Sequence, residues 1–497
     1  MALAGLDIGT TGCKCTVMTA EGCILSSKYL DYEASRVGGI HEIDAEAIWQ
    51  SVKTVIQGAF YASAEAVASL TVSSFGESCV LLDSESRPAA PVMLYTDPRG
   101  AEQSDRLGRM LGKDNIFKMC GHPPNEMYTL PKLMYTRETK PDVWDKVRKI
   151  LPIHSFLIYR LCGEAVTDYS LASRMMMLDI SRLDWCGELL SAGGIDKGML
   201  PRILPPGSAA GRILPHIAEE LGLPPALTVA VGCQDQIAAA IGAGALRPGA
   251  AVNGSGTVEC LTPVFDGLPS GMEGMSAGGY AVVPAMNGLF VTYAFTFTGG
   301  ALLQWFRDRF AGEASARAQE AGRSVYDYLN ERVRLEPSGL LVLPHFAGAA
   351  TPYMDADSKG AIVGLTLEHD EIDVYQAVLE GVAYEDRINM ERLEDAGIHI
   401  DSLRVTGGGA RSRVWTQIKA DVLNRPLESL TSSEAGTVGS LILSGLAVGC
   451  YKSLEEGMGI VKTHELFTPG GRRHRYNGIF KQYQRLYKAV KSIYREE

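Results

Sequence analysis

The chain has 497 residues, 46% hydrophobic and 21% charged, which is typical of a soluble globular protein and too long for a single hydrophobic core. The formal net charge of −11 argues against a nucleic acid or an anionic membrane surface as partner, and no apolar run is long enough to span a bilayer. The ten cysteines occur singly, without a C-x-x-C pair or a preceding signal peptide, which argues against zinc sites and a disulfide framework and predicts a cytoplasmic protein.

The chain begins with an apolar strand, a turn of glycine and threonine, and a second apolar strand. In the turn, residues 9–12, glycines let the backbone approach a phosphate closely, and Thr10 and Thr11 can donate hydrogen bonds to its oxygens. Asp7, at the end of the first strand, is suitably placed to hold a hydrated Mg²⁺ beside those phosphates. The pattern indicates a nucleotide phosphate clamp, with an ordinary hairpin as the alternative because short motifs recur by chance.

Helices and strands alternate through the rest of the first half. Hydrophobic periodicity predicts a helix over residues 44–69, and apolar runs predict strands over 71–74 and 91–94. Both strands run into polar segments. This alternation predicts an α/β sheet with its functional site at the strand ends.

Two carboxylates and an aromatic ring lie in those polar segments. Glu77 and Asp97 can accept hydrogen bonds from a polyol, and Tyr95 can cover its carbon face. Together at one sheet edge they favour substrate binding. The alternative for each carboxylate is a loop residue satisfied by backbone N–H groups.

A candidate catalytic base follows the next strand. Residues 227–231 are apolar, 232–235 are predicted to form a strand-to-helix loop, and small residues predict a helix over 236–243. In this loop the helix N terminus would stabilise the charged form of Asp235. Phosphoryl transfer needs one well-placed carboxylate near the attacking hydroxyl. The alternative role for this Asp is an N-cap.

The opening pattern returns in the second half. After a linker at 244–249, residues 250–261 again read as strand, polar turn and strand. The repeat predicts two related halves that share a cleft, with a boundary at Leu246 and domains at 1–246 and 247–497. The residues predicted to bind phosphate in the second turn are Gly254, Ser255, Gly256 and Thr257.

A run of three glycines separates a strand from a helix further on. A helix over 373–396 is predicted to begin with Asp373 as N-cap and Gln376 as its capping-box partner. A strand at 403–405 and the glycine-rich turn 406–412 follow it. One interpretation of the three glycines is a tight turn. Because the chain also has two predicted phosphate hairpins, the interpretation that they lie under a flat nucleoside is favoured.

A further pair of glycines, Gly299 and Gly300, opens a helix that includes Gln304. Close helix packing and a backbone contact to a nucleotide are equally compatible with this pair. We include all three residues in the predicted nucleotide site.

In order and spacing these segments resemble the FGGY family of carbohydrate kinases, from Leu3 to the C-terminal helix. The segments that carry the resemblance are Asp7-Ile8-Gly9-Thr10-Thr11, Lys132-Leu133, Leu151-Pro152, Tyr159-Arg160-Leu161-Cys162-Gly163-Glu164, Gly232-Cys233-Gln234-Asp235, Asn253-Gly254-Ser255-Gly256-Thr257, Gly299-Gly300 and Gly407-Gly408-Gly409-Ala410-Arg411-Ser412. The resemblance implies an α/β, duplicated actin-like (ribonuclease-H-like) fold. It also implies that ATP and Mg²⁺ bind in a cleft between two domains that close on the substrate.

The resemblance implies roles for individual residues. Asp235 matches the family's general base and is expected beside both the acceptor and the metal, and Asp7 matches the carboxylate near the metal. The residues that match the two phosphate hairpins are Thr10, Thr11, Gly254, Ser255 and Thr257. Those that match the adenosine loop are Gly408, Gly409 and Ser412.

The predicted acceptor site departs from the family pattern. Xylulokinases usually carry Met-His where this chain has Gly76 and Glu77, and glycerol kinases carry Arg-Glu, so that Gly76 stands where the Arg would be. Tyr95 replaces the usual Trp of the next loop, whereas the overall length and segment 150–180 are closest to xylulokinase-like members. A xylulokinase-like kinase is expected, but D-xylulose does not follow as its substrate. Another ketose, or a polyol such as erythritol or glycerol, stays open.

We therefore expect an ATP-dependent kinase that phosphorylates a hydroxyl of a small open-chain sugar or polyol, with a homodimer as its expected assembly. One alternative is an actin- or chaperone-like ATPase switch, which would leave Glu77, Asp97 and Asp235 without a common purpose. A second alternative is a catalytically silent sugar-binding regulator. The presence of Asp7, Asp235 and both hairpins argues against it. An ATPase activator of a radical dehydratase would need cysteines for an iron–sulfur cluster, which these scattered thiols do not offer.

Overall fold

The computed structural model describes residues 1–63, 65–334, 336–431 and 434–494. The strands of the first half are β1 (Ala2–Ile8), β2 (Gly12–Thr19), β3 (Ile24–Asp31), β4 (Ser35–Val37), β5 (Ile40–Ile43), β6 (Val67–Ser74), β7 (Cys79–Leu82), β8 (Val92–Met93), β9 (Lys149–Pro152), β10 (Val166–Thr167), β11 (Leu178–Asp179), β12 (Asp184–Trp185), β13 (Arg202–Ile203), β14 (Ala209–Arg212) and β15 (Thr228–Gln234). Its helices are α1 (Ala45–Tyr61), α2 (Ala101–Leu111), α3 (Lys113–Cys120), α4 (Thr129–Thr139), α5 (Pro141–Trp144), α6 (Ile153–Cys162), α7 (Tyr169–Arg174), α8 (Gly187–Gly193), α9 (Pro215–Leu221) and α10 (Asp235–Gly242).

The second half is built from a similar mixture of elements. Its strands are β16 (Ala250–Ser255), β17 (Glu259–Asp266), β18 (Val283–Pro284), β19 (Leu289–Val291), β20 (Ala294–Thr296), β21 (Leu341–Leu343), β22 (Ala361–Val363), β23 (Ser402–Thr406), β24 (Leu427–Leu430) and β25 (Thr463–Phe467). Its helices are α11 (Met272–Ala277), α12 (Gly300–Phe310), α13 (Gly312–Glu320), α14 (Val325–Asn330), α15 (Glu371–Asp395), α16 (Arg413–Leu423), α17 (Ala435–Ala447), α18 (Leu454–Met458), α19 (Arg473–Tyr483) and α20 (Leu486–Tyr494).

The first sheet brings the predicted carboxylates to one edge. Its order is β14-β15-β6-β1-β2-β3, with β1, β2 and β3 antiparallel, which confirms the predicted opening hairpin. β6 lies parallel to both β1 and β15, so the carboxyl ends of these three strands point the same way. Asp7 at the end of β1, Glu77 after β6 and Asp235 after β15 therefore share this edge.

The second sheet repeats the arrangement of the first. β16 and β17 form an antiparallel hairpin, and β16 lies parallel to β23, which lies parallel to β24. The hairpin and the two added parallel strands occupy the same relative places as β1, β2, β6 and β15. The predicted duplication is thus visible in the strand order.

Two helices from different halves cross at close range. A Cβ atom on Gly242 of α10 would lie 1.8 Å from the carbonyl oxygen of Ala435, and one on Gly439 of α17 would lie 1.8 Å from that of Ala238. Glycine at both positions therefore permits backbone contact between the helices. α17 also packs on β1, β6 and β15 of the first sheet. The domain boundary at Leu246 stays a prediction.

Two helix boundaries differ from the prediction. α1 ends at Tyr61, because the chain from Val67 onward pairs with β1 and this pairing overrides the helical periodicity. The N-cap of α15 is Asp370, so Asp373 as N-cap was wrong: its carboxylate instead accepts from the Asp370 backbone N–H and completes the capping box. Gln376 was also wrong as the box partner, since its side chain donates to the Glu336 carbonyl.

Two strand predictions also need correction. The strand predicted over 91–94 is reduced to Val92–Met93. β15 continues through Gln234, which pairs with Ser74, and α10 begins at Asp235 itself. The expected loop at 232–235 is therefore absent, and the candidate base is the first residue of the helix.

The cysteines form no disulfide bonds with one another. All ten cysteines are free thiols. Within the ranges that the structure describes, no helix has the length and apolar character needed to cross a membrane.

Candidate functional site

A short hydrogen-bond chain fixes the carboxylate of Asp235. Gln234 Nε2 donates to Asp235 Oδ1 at 2.6 Å, and the Tyr293 hydroxyl donates to Gln234 Oε1 at 2.7 Å. Burial raises the pKa of Asp235 to about 7, and the charge of Asp7 adds to this rise. A carboxylate with such a pKa can accept a proton near neutral pH and release it again.

The burial and raised pKa of the Asp7 carboxylate are compatible with binding of a cation. Burial raises its pKa to about 6, with Lys14 opposing this rise and Glu434 adding to it. Lys14 forms an ion pair with Glu434, at the start of α17. Among the described residues, no side chain donates a hydrogen bond to the Asp7 carboxylate, which would suit a divalent cation.

The described residues hold no complete metal cage. Nowhere in the described ranges do three or more His, Cys, Asp or Glu side chains group together as a metal site. Mg²⁺ usually keeps several waters and takes one or two carboxylates plus phosphate oxygens. Asp7, with Asp235 at the same sheet edge, fits that kind of site.

The first hairpin presents its two threonines at the tip. The Gly9 N–H donates to the Gly12 carbonyl at 2.9 Å, and the Tyr32 hydroxyl donates to the Gly9 carbonyl. Thr10 is half-buried and Thr11 is exposed. The turn is closed on itself, with the predicted phosphate-binding residues facing outward.

A buried lysine that the sequence analysis missed supports the second hairpin. Lys419 Nζ donates to Ser255 Oγ at 2.6 Å and to Asn253 Oδ1 at 2.8 Å, and it forms an ion pair with Glu259. Ser255 Oγ donates in turn to Glu259 Oε1 at 2.8 Å. The Ser255 hydroxyl is thus directed inward, and the exposed residues of this turn are Gly256, Thr257 and Val258.

A cavity of about 560 Å³ adjoins the second hairpin. Its walls come from the hairpin, from α12 and α14, and from the turn before α16. The predicted nucleotide residues that line it are Ser255, Gly256, Thr257, Gly300, Gln304, Gly408, Gly409 and Ser412. The other predicted nucleotide residues do not line it: Gly254 and Gly299 are each the chain neighbour of a lining residue, and Thr10 and Thr11 belong to the first hairpin.

The glycines at the start of α12 bring this helix onto the hairpin. The Gly300 N–H donates to the Gly256 carbonyl at 2.8 Å, and the Gly299 N–H donates to the Thr257 carbonyl at 3.0 Å. A Cβ on Gly300 would lie 2.6 Å from the Gly256 oxygen. Close packing is therefore one function of the pair, and Gly300 also faces the cavity.

The acceptor side contains an ion pair that was not predicted. Glu77, 7% exposed, pairs with Arg174 at the end of α7, which is 8% exposed. The guanidinium lies over the rings of Tyr128 and Tyr293, at 5.3 and 5.5 Å from their centroids. Gly76 packs directly on the stem of Arg174.

The Asp97 carboxylate is already hydrogen-bonded within the protein. Its carboxylate is fully buried and accepts hydrogen bonds from the His41 backbone at 2.7 Å and from Arg99 Nε at 2.8 Å. Burial would raise its pKa, but the hydrogen bonds from Arg99 and His41 outweigh this and lower it. Tyr95, 38% exposed, lies at the surface of the same loop. A substrate contact by Asp97 or Tyr95 stays a prediction.

Three residues with clear places in the site escaped the sequence analysis: Gln234, Arg174 and Lys419. Gln234 was named only within the segment Gly232-Cys233-Gln234-Asp235, without a role of its own. Arg174 follows the uncharged run Ser170-Leu171-Ala172-Ser173, and Lys419 interrupts an apolar helix face. An isolated cation in such a setting is a usable signal, because a buried charge requires a partner.

Comparison with known proteins agrees with the arrangement. The model of the FGGY family of carbohydrate kinases matches with its N-terminal domain at residues 2–242 and with its C-terminal domain at 275–448. The gluconokinase of Bacillus subtilis (strain 168) is 26% identical, over 94% of this chain and 91% of the relative. The glycerol kinase of Thermococcus gammatolerans is 30% identical, over 95% of each chain.

A solved structure supports the same fold. The ligand-bound xylulose kinase of Lactobacillus acidophilus superimposes with a TM-score of 0.89 at 22% identity, over 99% of this chain and 98% of that one. At this identity the likeness bears on the fold alone. The predicted duplicated actin-like (ribonuclease-H-like) fold is confirmed.

Proposed function

Because the chain belongs to the FGGY family of carbohydrate kinases, which use ATP as phosphate donor, we propose that it transfers the γ-phosphoryl group to a hydroxyl of a small open-chain sugar or polyol. The protein is a carbohydrate kinase that acts on a small-molecule sugar or polyol. Its relatives include glycerol, xylulose and gluconate kinases, so family membership leaves the acceptor open. One observation carries the proposed mechanism: the carboxylate of Asp235, held by Gln234, with a pKa of about 7.

In this mechanism Asp235 is the general base. It takes the proton of the attacking hydroxyl while that oxygen forms its bond to the γ-phosphorus, and the bond to the leaving ADP oxygen breaks. The proton is then released to solvent. Positioning and charge stabilisation supply most of the rate in such a reaction, because the transition state is loose.

The two hairpins hold the phosphates on either side of the cleft. Thr10 and Thr11 contribute hydroxyl and backbone donors, and Gly254, Gly256 and Thr257 contribute the opposite turn. Ser255 acts through its backbone N–H, since its hydroxyl is engaged by Lys419. Asp7 would hold Mg²⁺, with Asp235 nearby; the bound ion neutralises charge on the phosphates.

The nucleoside occupies the cavity beside the second hairpin. Gly408 and Gly409 lie under it, Ser412 begins the next helix, and Gln304 offers an amide to the base. We divide the chain at Leu246, so that the first domain carries the acceptor site and Asp235 and the second carries the nucleoside site. Closure of the domains would exclude water and so limit ATP hydrolysis.

The test is ADP release by the full chain with Mg²⁺, ATP and a panel of acceptors: glycerol, erythritol, ribitol, xylitol, D- and L-xylulose, ribulose and gluconate. We expect one class of acceptor to raise the rate far above the rate without acceptor. Asp235→Asn should abolish that rise while ATP still binds. Asp184→Asn, at an exposed carboxylate paired with Lys197, is the matched control and should change nothing.

Normal turnover by Asp235→Asn would remove Asp235 from the role of base. ATP binding without any acceptor-dependent turnover would instead favour the silent regulator. ATP hydrolysis that no acceptor stimulates would favour the ATPase switch.

A further inference from the structure

The backbone at Gly76 makes room for an arginine from another part of the chain. A Cβ atom built on Gly76 would lie 3.0 Å from both Cβ and Cγ of Arg174. This is tighter than nine in ten Cβ contacts in proteins, and Arg174 is itself buried. Any larger residue at position 76 would therefore displace the arginine stem, and glycine there keeps the guanidinium beside Glu77.

Arg174 carries unused hydrogen-bonding capacity in a buried place. A guanidinium has five N–H donors. Within the described ranges, its one ion-pair partner is Glu77, and its Nε is buried without a hydrogen-bond partner. A buried polar group left unpaired costs free energy. The unpaired donor therefore points to a ligand that completes the site.

The backbone of Glu77 supplies a second, independent observation. Its φ is +65°, in the left-handed region that residues other than glycine seldom adopt. The Thr129 hydroxyl holds this conformation by donating to the Glu77 carbonyl at 2.7 Å. Backbone strain of this kind persists where the surroundings fix it and is concentrated at ligand-binding sites.

The ion pair borders the proposed base. Tyr293 lies under the guanidinium of Arg174 and donates its hydroxyl proton to Gln234, which in turn donates to Asp235. A molecule that contacts Arg174 and Glu77 would therefore extend toward the proposed base along the Tyr293 ring.

We infer that Arg174 is a specificity-determining residue and that it selects, together with Glu77, an uncharged polyol or ketose over a sugar acid of the same length. This inference rests on the proposed kinase function and narrows its acceptor class. The guanidinium donates to a substrate oxygen, and the adjacent carboxylate accepts from a hydroxyl. One hydroxyl group, or two neighbouring ones, can satisfy both.

The charges around the pair explain the discrimination. Glu77 offsets the charge of Arg174, while Asp235 and Asp7 stand at the same sheet edge. The carboxylate of a sugar acid would enter beside these acidic groups, where the charge of Arg174 is already offset by Glu77. In a poorly solvated site such repulsion is weakly screened. The rings of Tyr128 and Tyr293 instead offer contact surface for carbon.

The experiment compares matched neutral and acidic acceptors, xylitol with xylonate and erythritol with erythronate, in the ADP-release assay. Wild-type protein should have a kcat/KM at least about tenfold higher for the neutral member, the effect of one unfavourable contact to a buried charge. Arg174→Met should raise KM for the neutral acceptor at least about tenfold, with KM for ATP changed less than about twofold. Glu77→Gln should reduce the ratio of kcat/KM for the neutral acceptor to kcat/KM for the acidic one, because it removes a negative charge beside the acid.

Controls separate recognition from folding. Arg182→Met makes the same change at an arginine whose side chain is 84% exposed, and no parameter should change. Arg174→Lys keeps the charge but loses the planar fork, so its KM should lie between those of wild type and Arg174→Met. Thermal unfolding of each variant identifies any that fail to fold, and Arg174→Lys then carries the test.

Equal or higher kcat/KM for the acid would overturn the inference, and so would an unchanged acceptor KM in both Arg174 variants. Calorimetric binding of the same acceptors to Asp235→Asn separates this result from failure of the proposed function. Arg174-dependent binding of neutral acceptors without turnover in wild type would support the selection and refute the transfer. Absence of both binding and turnover would overturn the selection as well as the transfer.

Discussion

The hydroxyl of Tyr293 donates to the side-chain carbonyl of Gln234 at 2.7 Å, and the two residues come from different halves of the chain. Gln234 closes β15, whereas Tyr293 lies between β19 and β20. Through the amide of Gln234 this contact bears on Asp235, whose Oδ1 accepts from Gln234 Nε2 at 2.6 Å. The proposed base is thus oriented by a residue of the opposite half.

Tyr293→Phe should therefore lower kcat. The ring over Arg174 is kept, but Gln234 loses one of the two hydrogen bonds to its carbonyl and Asp235 becomes less well oriented. We expect a roughly tenfold loss, the value of about one hydrogen bond, with KM for ATP unchanged. Steady-state ADP release measures it. Tyr61→Phe, at a tyrosine that is 93% exposed, is the control. An unchanged kcat would show that Gln234 needs no support from Tyr293.

The pH dependence of kcat/KM should show an acidic limb near pH 7. The base must be ionised to accept a proton, and burial, assisted by the charge of Asp7, raises the pKa of Asp235 to about 7. The rate should therefore fall about tenfold for each pH unit below that value and level off above it.

The same profile tests the electrostatic role of Arg174. Its positive charge lowers the pKa of Asp235, so Arg174→Met should move the acidic limb to higher pH. Arg182→Met should leave the limb in place. A limb near the ordinary pKa of an Asp, or a shift toward lower pH in Arg174→Met, would contradict this electrostatic picture.

The parts of the fold that the sequence predicted well are local. Each hairpin depends on a glycine-containing turn between two short apolar strands, and neighbouring residues fix it. The predicted helix was wrong over residues 67–69 because pairing of β6 with β1 decided their conformation, and β1 lies about 65 residues earlier in the chain. Secondary-structure periodicity holds no information on such a partner.

The candidate site divides in the same way. Asp7 and Asp235 could be identified because strand ends and helix starts are visible in sequence. The pairing of Arg174 with Glu77 could not, since it joins the end of α7 to the loop after β6 through the space left by Gly76. Asp97 is a different case: an acidic residue after a strand favoured a binding role, and in the fold Arg99 and His41 donate to its oxygens, so that a substrate contact there stays a prediction.

Gly409→Ala should weaken ATP binding. A Cβ at this position would lie 2.5 Å from the Cβ of Ser255 and 2.7 Å from Cζ3 of Trp415, so the turn and the second hairpin must move apart. We expect KM for ATP to rise about tenfold or more, and KM for the acceptor to stay within about twofold.

Gly408→Ala serves as the comparison, because among the described residues, its two chain neighbours apart, no atom lies within 4 Å of a Cβ built there. Its unfolding temperature should equal that of wild type, and its KM for ATP should change less than in Gly409→Ala. Equal effects of the two substitutions would show that close packing on Ser255 is not what sets nucleotide affinity.

Lys419→Met should destabilise the second half strongly. The variant leaves Glu259 facing Asp386 in a buried place without the cation between them. Burial and the charge of Glu259 already raise the pKa of Asp386 well above its ordinary value, which marks how poorly this site tolerates a second negative charge. Breaking a buried ion pair on one side costs about 3–5 kcal/mol, so the free energy of unfolding should fall by that order.

The double variant Lys419→Met with Glu259→Gln distinguishes lost charge from lost packing. Removal of the uncompensated carboxylate should restore part of the stability in urea unfolding, whereas Lys481→Met, at an exposed lysine, should have no effect. KM for ATP should be raised in both the single and the double variant, because the Ser255 hydroxyl loses its contact with Lys419 in each. A double variant no more stable than Lys419→Met would instead mean that other contacts of Lys419, such as that of its ammonium group with the Trp415 ring at 4.4 Å from the centroid, supply the stability.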